Sequence, residues 1–424
     1  MGNRKKWIIS VTVITILIAS IIVIRFPSTI GSIVVPDDYS SIQTAVDHAF
    51  TGQTIFVRNG IYTEQYVTIN KPLSLIGENP ENTILVGINN IKYPPPYVIQ
   101  ISADNVKVSG FTITNGDQNG IRVETIGSIK QPSGVVITGN NIVNNTGGIS
   151  DYDGDRLIIA NNNVSNNSQY GIQLYSSQST VSGNLISENG WEGLVVGTSN
   201  VTVTQNIITH NGFQEANINR GGLWLIAGIN YEIYSNNITD NRVFGVQFAD
   251  NCSNSGVSNN NIIGNDVGVD LLNYALINSS SPYIGTNNKV FGNNLENSKN
   301  ALVETAFSFG NISLISGAVG NGTDNVSWDN GEVGNYWSDY YGNGTYVIDQ
   351  NNIDHHPFTQ QVGISVNTPT LTPLSTGFSI TVPLLVLVVA IIMGIVSLLL
   401  FRRHRKSNKL NYYLFQLWNN LFHE

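Results

Sequence analysis

Three sets of residues in this 424-residue chain have types and spacings that could do chemistry. Asp151-Tyr-Asp153-Gly-Asp155 places three carboxylates on alternate residues around a glycine. That spacing can gather oxygen ligands for calcium. Asn162 stands where a loop-closing glutamate would, so the segment is not an EF-hand. His355 and His356 form the one adjacent histidine pair between the basic ends of the chain. The third set is dispersed: Arg122, Gln173, Val195, Trp224, Gln247 and Asp270 each stand third in a short segment that reads Gly-aliphatic-x-aliphatic. Guanidinium, amide and indole groups in one row would stack on and hydrogen-bond to sugars, so these residues form a candidate glycan-binding surface.

The dispersed set becomes a row only if the chain repeats. It does: aliphatic-x-x-Asn-x-aliphatic recurs with its asparagine at Asn140, Asn162, Asn184, Asn206, Asn236, Asn260 and Asn293. The first three intervals are 22 residues, and the later ones are 30, 24 and 33. Val108-Ser-Gly-Phe111-Thr-Ile113 is an earlier copy with Phe in the Asn place. The Gly-aliphatic-x-aliphatic element follows most copies by eight or nine residues, as at Gly171 and Gly245. A short period with alternating apolar residues implies a solenoid, because a single repeat cannot bury its own apolar side. The expected fold is all-β: a right-handed, single-stranded parallel β-helix of about ten to eleven rungs over residues 33–320. The recurrent Asn suits a corner with left-handed backbone, and its amides can bond from rung to rung as a ladder.

Composition agrees. The chain holds 57 asparagines and 41 glycines, which disfavour helix interiors and suit short strands and tight turns. One cysteine excludes a disulfide scaffold, an iron–sulfur cluster and a cysteine-rich zinc site. The formal charge is −9, but residues 26–401 hold 28 acidic and 11 basic residues, a net −17 between two basic ends. An acidic body does not bind nucleic acid by releasing counterions.

Both ends read as membrane-directed. Trp7 to Ile24 is an apolar run behind Arg4-Lys-Lys6, a signal peptide or signal anchor within residues 1–26. Residues 378–401 are long enough to span a bilayer as a transmembrane helix. The basic cluster from Arg402 to Lys406 places the tail, residues 402–424, in the cytosol. Residues of about 27 to 377 are then extracytosolic, with a Thr/Pro stalk at 367–377. Sequons such as Asn163, Asn200 and Asn237 would permit glycosylation there.

Solenoids need caps. Ser40-Ser-Ile-Gln43 forms a capping-box pattern, followed by Ile42, Ala45, Val46 and Ala49, which predicts a short amphipathic N-terminal capping helix. At the far end, Trp328, Tyr336, Trp337, Tyr340, Tyr341 and Tyr346 fall in a C-terminal segment, 321–366, expected to cover the last rung.

Ile55-Phe-Val-Arg-Asn-Gly60-Ile-Tyr62-Thr-Glu64 with Val67-Thr-Ile-Asn70-Lys-Pro-Leu-Ser-Leu-Ile-Gly77 resembles the opening of NosD-like β-helix proteins. Gly334-Asn-Tyr-Trp337-Ser-Asp339, Tyr346-Val-Ile-Asp349 and Asp354-His-His-Pro357 are similar to the closing segment of archaeal-type surface proteins of that family. The resemblance covers about residues 33–360. It implies an exported β-helix related to carbohydrate-binding and sugar-hydrolase domains, and, through the namesake, an accessory role in copper-site assembly. Copper is not predicted, because residues 26–377 contain no methionine and one cysteine, Cys252, which reads as a small buried residue. Gly60-Ile-Tyr62-Thr-Glu64 also resembles the opening of pectin methylesterases, but their later catalytic motifs are not found. Tyr170-Gly171-Ile172 resembles the start of a mannuronan epimerase motif, yet Gln173-Leu174 stand where Asp-Pro-His should follow. The repeat region has no Arg-x-Lys and no His-Gly of the polygalacturonase type. The expected function is therefore a membrane-anchored extracytosolic protein that binds a glycan, whether polysaccharide or cell-envelope glycan, or contributes to the cell envelope, without catalysis. The alternatives are a lyase or hydrolase acting on acidic glycans and a NosD-like copper-assembly accessory.

Overall fold

The computed structural model describes residues 31–64, 66–88, 97–127, 130–213, 220–249, 252–276, 285–309, 312–316 and 326–367. The chain winds as a three-sided parallel β-helix. Its first sheet has 12 strands, and its second and third have 11 each. One turn runs through Val136–Thr138 in the first sheet, Asn141–Val143 in the second and Gly147–Asp151 in the third. The next turn repeats this as Ile158–Ala160, Asn163–Ser165 and Ile172–Leu174.

Register turns the aliphatic pattern into columns. Ile137, Ile159, Val181, Val203, Ile233, Val257 and Val290 pair in sequence in the first sheet. Ile142, Val164, Ile186, Ile208, Ile238, Ile262 and Leu295 do so in the second. All fourteen are fully buried. Inward side chains alternate with outward ones because strand side chains alternate between faces. A one-residue slip would turn each column outward.

The recurrent asparagines occupy the corner between the first and second sheets, and all seven are fully buried. Each Nδ2 donates to the Oδ1 of the next rung: Asn140 to Asn162 at 3.2 Å, Asn184 to Asn206 at 3.0 Å, Asn236 to Asn260 at 2.9 Å. The same Oδ1 also accepts the backbone N–H of the rung before, as Asn184 does from Asn162 at 2.9 Å. A third bond links Nδ2 to a backbone carbonyl one rung back, for example Asn184 to Ile159 at 2.8 Å. The left-handed residue at this corner is not the ladder Asn, as the sequence suggested, but the one before it. Asn161, Gln205, Ser235 and Asn259 have φ of 54–57°, and Gly139, Gly183 and Gly292 of 62–69°. The turn residue bends the backbone, and the asparagine is required for its amide.

A second ladder lies at the next corner, through Asn145, Asn167, Asn189, Asn211, Asn241, Asn265 and Asn297. It also accounts for the glycine that opens each third-sheet strand. A Cβ on Gly171 would meet the Asn189 Nδ2 at 2.7 Å and the Ile186 Cγ2 at 2.8 Å. One on Gly245 would meet the equivalent atoms of Asn265 and Ile262 at 2.9 and 2.8 Å.

Both ends are closed. The helix Ile42–His48 buries Ile42, Ala45 and Val46 over the first turns. Its N-cap is Ser41, which accepts from the Thr44 amide at 3.1 Å, so the expected Ser40–Gln43 box does not form. Gln43 instead accepts from the Thr68 amide and donates to Asp47, both at 2.7 Å. Glu64 accepts the Ile42 amide at 2.8 Å, and the Tyr62 hydroxyl donates to the Arg58 carbonyl at 2.8 Å. The Gly60-x-Tyr62-x-Glu64 motif therefore fastens the cap. At the far end Trp328 and Trp337 are buried, and Tyr346 stacks on Trp337 at 4.1 Å. Asp354 terminates the first ladder: its Oδ2 accepts the Asn335 amide at 2.7 Å and the Trp337 Nε1–H at 2.8 Å. The second ladder ends through Asn300 on the Asp339 carboxylate at 2.8 Å. Residues 361–367 then run back outside the prism, where Val362 is bonded to Asn294 and Asn367 to Gln205.

The apolar runs 7–24 and 378–401 and the cytosolic tail lie outside the described residues. Among the described residues, no helix is long and apolar enough to cross a membrane.

Asn184→Ala removes the acceptor of the buried Asn162 amide and breaks both links of the first ladder. Its urea midpoint is expected to fall by an amount equivalent to about 2–4 kcal/mol, at roughly 1–3 per orphaned group. Ser235→Gly at the half-buried turn is expected to leave stability unchanged or raise it by up to about 1 kcal/mol, since glycine bears no left-handed penalty. Equal losses in the two variants would contradict this division of roles.

Burial raises the Asp354 carboxyl above its ordinary value, although the Asn335 amide and Trp337 indole donate to it. The folded state then binds this proton more tightly than the unfolded chain does. The resulting stability is present below the unfolded pKa of about 3.9 and lost as pH rises through the raised folded value. Asp354→Asn should flatten that fall, read as urea midpoints from pH 3 to 7. Parallel profiles for the two proteins would contradict it.

Candidate functional site

The outward residues of the third sheet fall in one column. Gln100, Arg122, Ser150, Gln173, Val195, Trp224, Gln247 and Asp270 are successive register partners. The structure thus brings together every member of the dispersed set and adds Gln100 and Ser150. Ser150 escaped notice because its strand reads Gly148-Ile-Ser-Asp151, with an acid in the second aliphatic place.

The column is less open than alternation alone implies. Arg122 is 9% exposed, Gln247 1% and Asp270 5%, whereas Gln173 and Trp224 are half-buried. The Arg122 guanidinium lies 3.4 Å from the Tyr152 ring centroid and 5.3 Å from that of Tyr97. It pairs with Glu124 at 3.0 Å, and Glu124 in turn accepts from Gln100 at 2.6 Å. Tyr152 is 50% exposed and lies 5.9 Å from Tyr175, whose hydroxyl accepts from Gln173 at 3.2 Å. Burial raises the Tyr97 and Tyr175 phenols, so both stay protonated as donors. Further along, Gln247 donates to Asp270 at 2.6 Å. The Trp224 Nε1–H is buried and has no hydrogen-bond partner among the described residues.

A second aromatic group borders the entry to these strands. Glu192 is 1% exposed and accepts from Arg220 at 2.8 and 2.9 Å. The guanidinium lies 4.1 Å from the Trp191 ring centroid, and Trp191 meets Tyr170 edge-on at 6.2 Å. Burial pushes the Glu192 carboxyl up, while the charge of Arg220 pulls it back. The Glu192–Arg220 pair was missed because its members are 28 residues apart and outside either repeat motif.

The three aspartates considered for calcium do not converge. Asp151 points into the core in register with Val123 and Leu174, fully buried, accepting the Gly154 and Tyr175 amides at 2.9 and 3.0 Å. Burial raises its carboxyl. Asp153 accepts the Thr125 amide at 2.8 Å. Asp155 bonds Ser133 and Ser177 at 3.3 and 3.2 Å and pairs with Arg156 at 3.1 Å. An alternate spacing that would gather ligands in a loop here spans a strand end, which turns the first carboxylate inward. Among the described residues, no group of three or more His, Cys, Asp or Glu side chains could hold a metal ion. His355 and His356 both face Asp329, at 3.2 and 3.5 Å. Cys252 is buried against the Ala249 and Leu225 carbonyls at 3.0 and 3.3 Å.

The family model for the right handed beta helix region matches residues 76–227. No curated protein matches the chain. Among solved structures, the A-module of the Azotobacter vinelandii mannuronan C-5 epimerase AlgE6 is similar at 17% identity and a TM-score of 0.50, over 62% of this chain and 84% of that one. The A-module of the AlgE4 epimerase of the same organism gives 16% and 0.49, over 63% and 87%. Pectate lyase Pel9A gives 15% and 0.45, over 62% and 72%. At these identities the likeness is one of fold: the chain is a right-handed parallel β-helix.

Proposed function

We propose that the protein is a membrane-anchored, extracytosolic β-helix that binds a glycan along its third sheet without cleaving it. The observation that carries this reading is the column from Gln100 to Asp270 beside the Tyr152 and Tyr175 rings. Parallel rungs are about 4.8 Å apart, so the column offers regularly spaced planar groups to a polymer lying along the axis. The half-buried Trp224 brings an aromatic face and an Nε1–H with no acceptor among the described residues. Carboxylates on this side are already held, Glu124 by Arg122, Glu192 by Arg220 and Asp270 by Gln247. A binding role needs no free acid and base, whereas glycoside cleavage calls for two carboxylates across the scissile bond. The similar epimerase is named for a polysaccharide substrate, which supports a glycan as ligand. Anchoring rests on the apolar runs 7–24 and 378–401 with their basic flanks, which place residues of about 27 to 377 outside the cytosol.

Glycan arrays probed with the full-length chain in detergent should show binding to an extended polysaccharide. Trp224→Ala should weaken it about 3- to 10-fold, the worth of one aromatic stack, and Tyr152→Ala by a similar factor. Reducing ends or unsaturated products on incubation with the bound polymer would replace this reading with an enzymatic one.

A further inference from the structure

The third-sheet column has a companion along the edge where its strands end. Val123, Asp151, Leu174 and Val196 are successive register partners, so the residues after them, Glu124, Tyr152, Tyr175 and Gly197, follow one another rung by rung. The Tyr175 ring lies across Gly197, where a Cβ would meet it. The half-exposed Tyr152 ring lies across the Arg122 guanidinium.

The charges of this edge are closed on themselves. Arg122 is buried, and its Nε–H donates to Glu124 Oε2 at 3.0 Å. Its Nη2 lies 3.0 Å from the same oxygen, and its Nη1 donates to Ser150 at 3.3 Å. The other Glu124 oxygen accepts from Gln100 at 2.6 Å. From Ser150 the bonds continue in one direction. Its hydroxyl donates to Gln173 Oε1 at 3.3 Å, and Gln173 Nε2 donates to the Tyr175 hydroxyl at 3.2 Å. A phenol that accepts from Gln173 still has its own proton to give. Arg220, the arginine beside the strand entries, is closed in the same way by the buried Glu192. The edge thus presents phenol rings, a hydroxyl donor and amides, with each arginine already answered by a carboxylate. A sugar carboxylate arriving at Arg122 meets Glu124 already seated there and brings a like charge to a filled place.

We infer that the glycan bound along the third sheet is built of uncharged sugars, and that Glu124 sets this preference by closing Arg122 to uronates. The inference rests on the third-sheet reading and adds the class of ligand to it. The rings of Tyr152 and Tyr175 stack on sugar faces, and the Tyr175 hydroxyl donates to a ring or hydroxyl oxygen. Glu124 acts through Arg122 as a positioning residue: with its charge in place the guanidinium is held in the Ser150–Gln173–Tyr175 chain rather than offered to the ligand.

Calorimetry on the full-length chain in detergent tests it, with hexamers of glucose, mannose and xylose set against hexamers of galacturonate, mannuronate and guluronate. At least one uncharged hexamer should bind about tenfold more tightly than every uronate one. Its affinity should change by less than about twofold between roughly 50 and 500 mM salt, because no ion pair with the ligand is there to be screened. Glu124→Gln keeps the shape of the side chain and bares the Arg122 charge. It should shift the preference about fivefold toward uronates, a gain that fades as salt rises. Arg122→Gln combined with Glu124→Gln should abolish that gain. A uronate hexamer bound as tightly as the best uncharged one, and weakened by Trp224→Ala, would overturn the ligand class while leaving the third-sheet site standing. If none of the hexamers binds, the inference falls whatever the glycan arrays show for that site. An unshifted preference in a folded Glu124→Gln protein would overturn the role of Glu124. The wild-type panel needs no variant, so the ligand class is decided even where a substitution unfolds the chain.

Discussion

The structure depends on keeping two columns of primary amides dry and fully bonded. Each ladder Oδ1 takes two donors from the preceding rung, and each Nδ2 gives to a carbonyl behind and an amide ahead. Those amides are buried, so a missing partner leaves a group whose burial costs about 1–3 kcal/mol. The two ladder asparagines of a rung are five residues apart from Asn140/Asn145 through Asn260/Asn265. With both corners of the second side locked, its length holds over these six rungs and shortens by one residue only at Asn293/Asn297. The chain's irregular lengths therefore fall elsewhere, as in residues 212–221 and 272–287 between a ladder corner and the next first-sheet strand.

The same constraint explains the ends and the glycines. A ladder of donors and acceptors needs a final acceptor, and both ladders find a carboxylate: Asp354 for one, and Asp339 through Asn300 for the other. The aromatic cap is thereby tied to the ladder, because Trp337 donates to Asp354 while its ring covers the last rung. Glycine opens the third-sheet strands because the amide and the isoleucine beside it leave no room for a Cβ. Its conservation of position along the chain is steric, and the aliphatic-x-aliphatic that follows resumes the ordinary alternation of a strand.

The candidate face inherits its regularity from this frame. The Gln100–Asp270 column is straight because the register never slips, and its groups satisfy one another along the axis: Glu124 with Arg122, Arg122 with Tyr152, Gln173 with Tyr175. Where such pairing fails, at the Trp224 indole, a donor is left over among the described residues.

How much of this was legible depended on periodicity. The seven Asn positions and the Gly-aliphatic-x-aliphatic copies were enough for the β-helix, the first ladder and the outward column, and the spacing of Ile42, Ala45, Val46 and Ala49 for the N-terminal helix. The second ladder was present in the same letters, five residues on from each ladder Asn up to Asn260 and four on from Asn293, but was masked by the many other asparagines around it. Sequence also implied the membrane runs, which lie outside the described residues. What it could not supply was anything that depends on non-repeating contacts. The three aspartates separate because one rung places Asp151 where its neighbours have Val123 and Leu174. Arg122 is enclosed because Tyr152 from the adjoining rung folds over it. A repeat states which residue types recur and on which side of a strand they fall, since both follow from local alternation and period. Only the stacked structure decides which side chains then face each other across a rung, because that is set by packing between residues 22 to 42 positions apart.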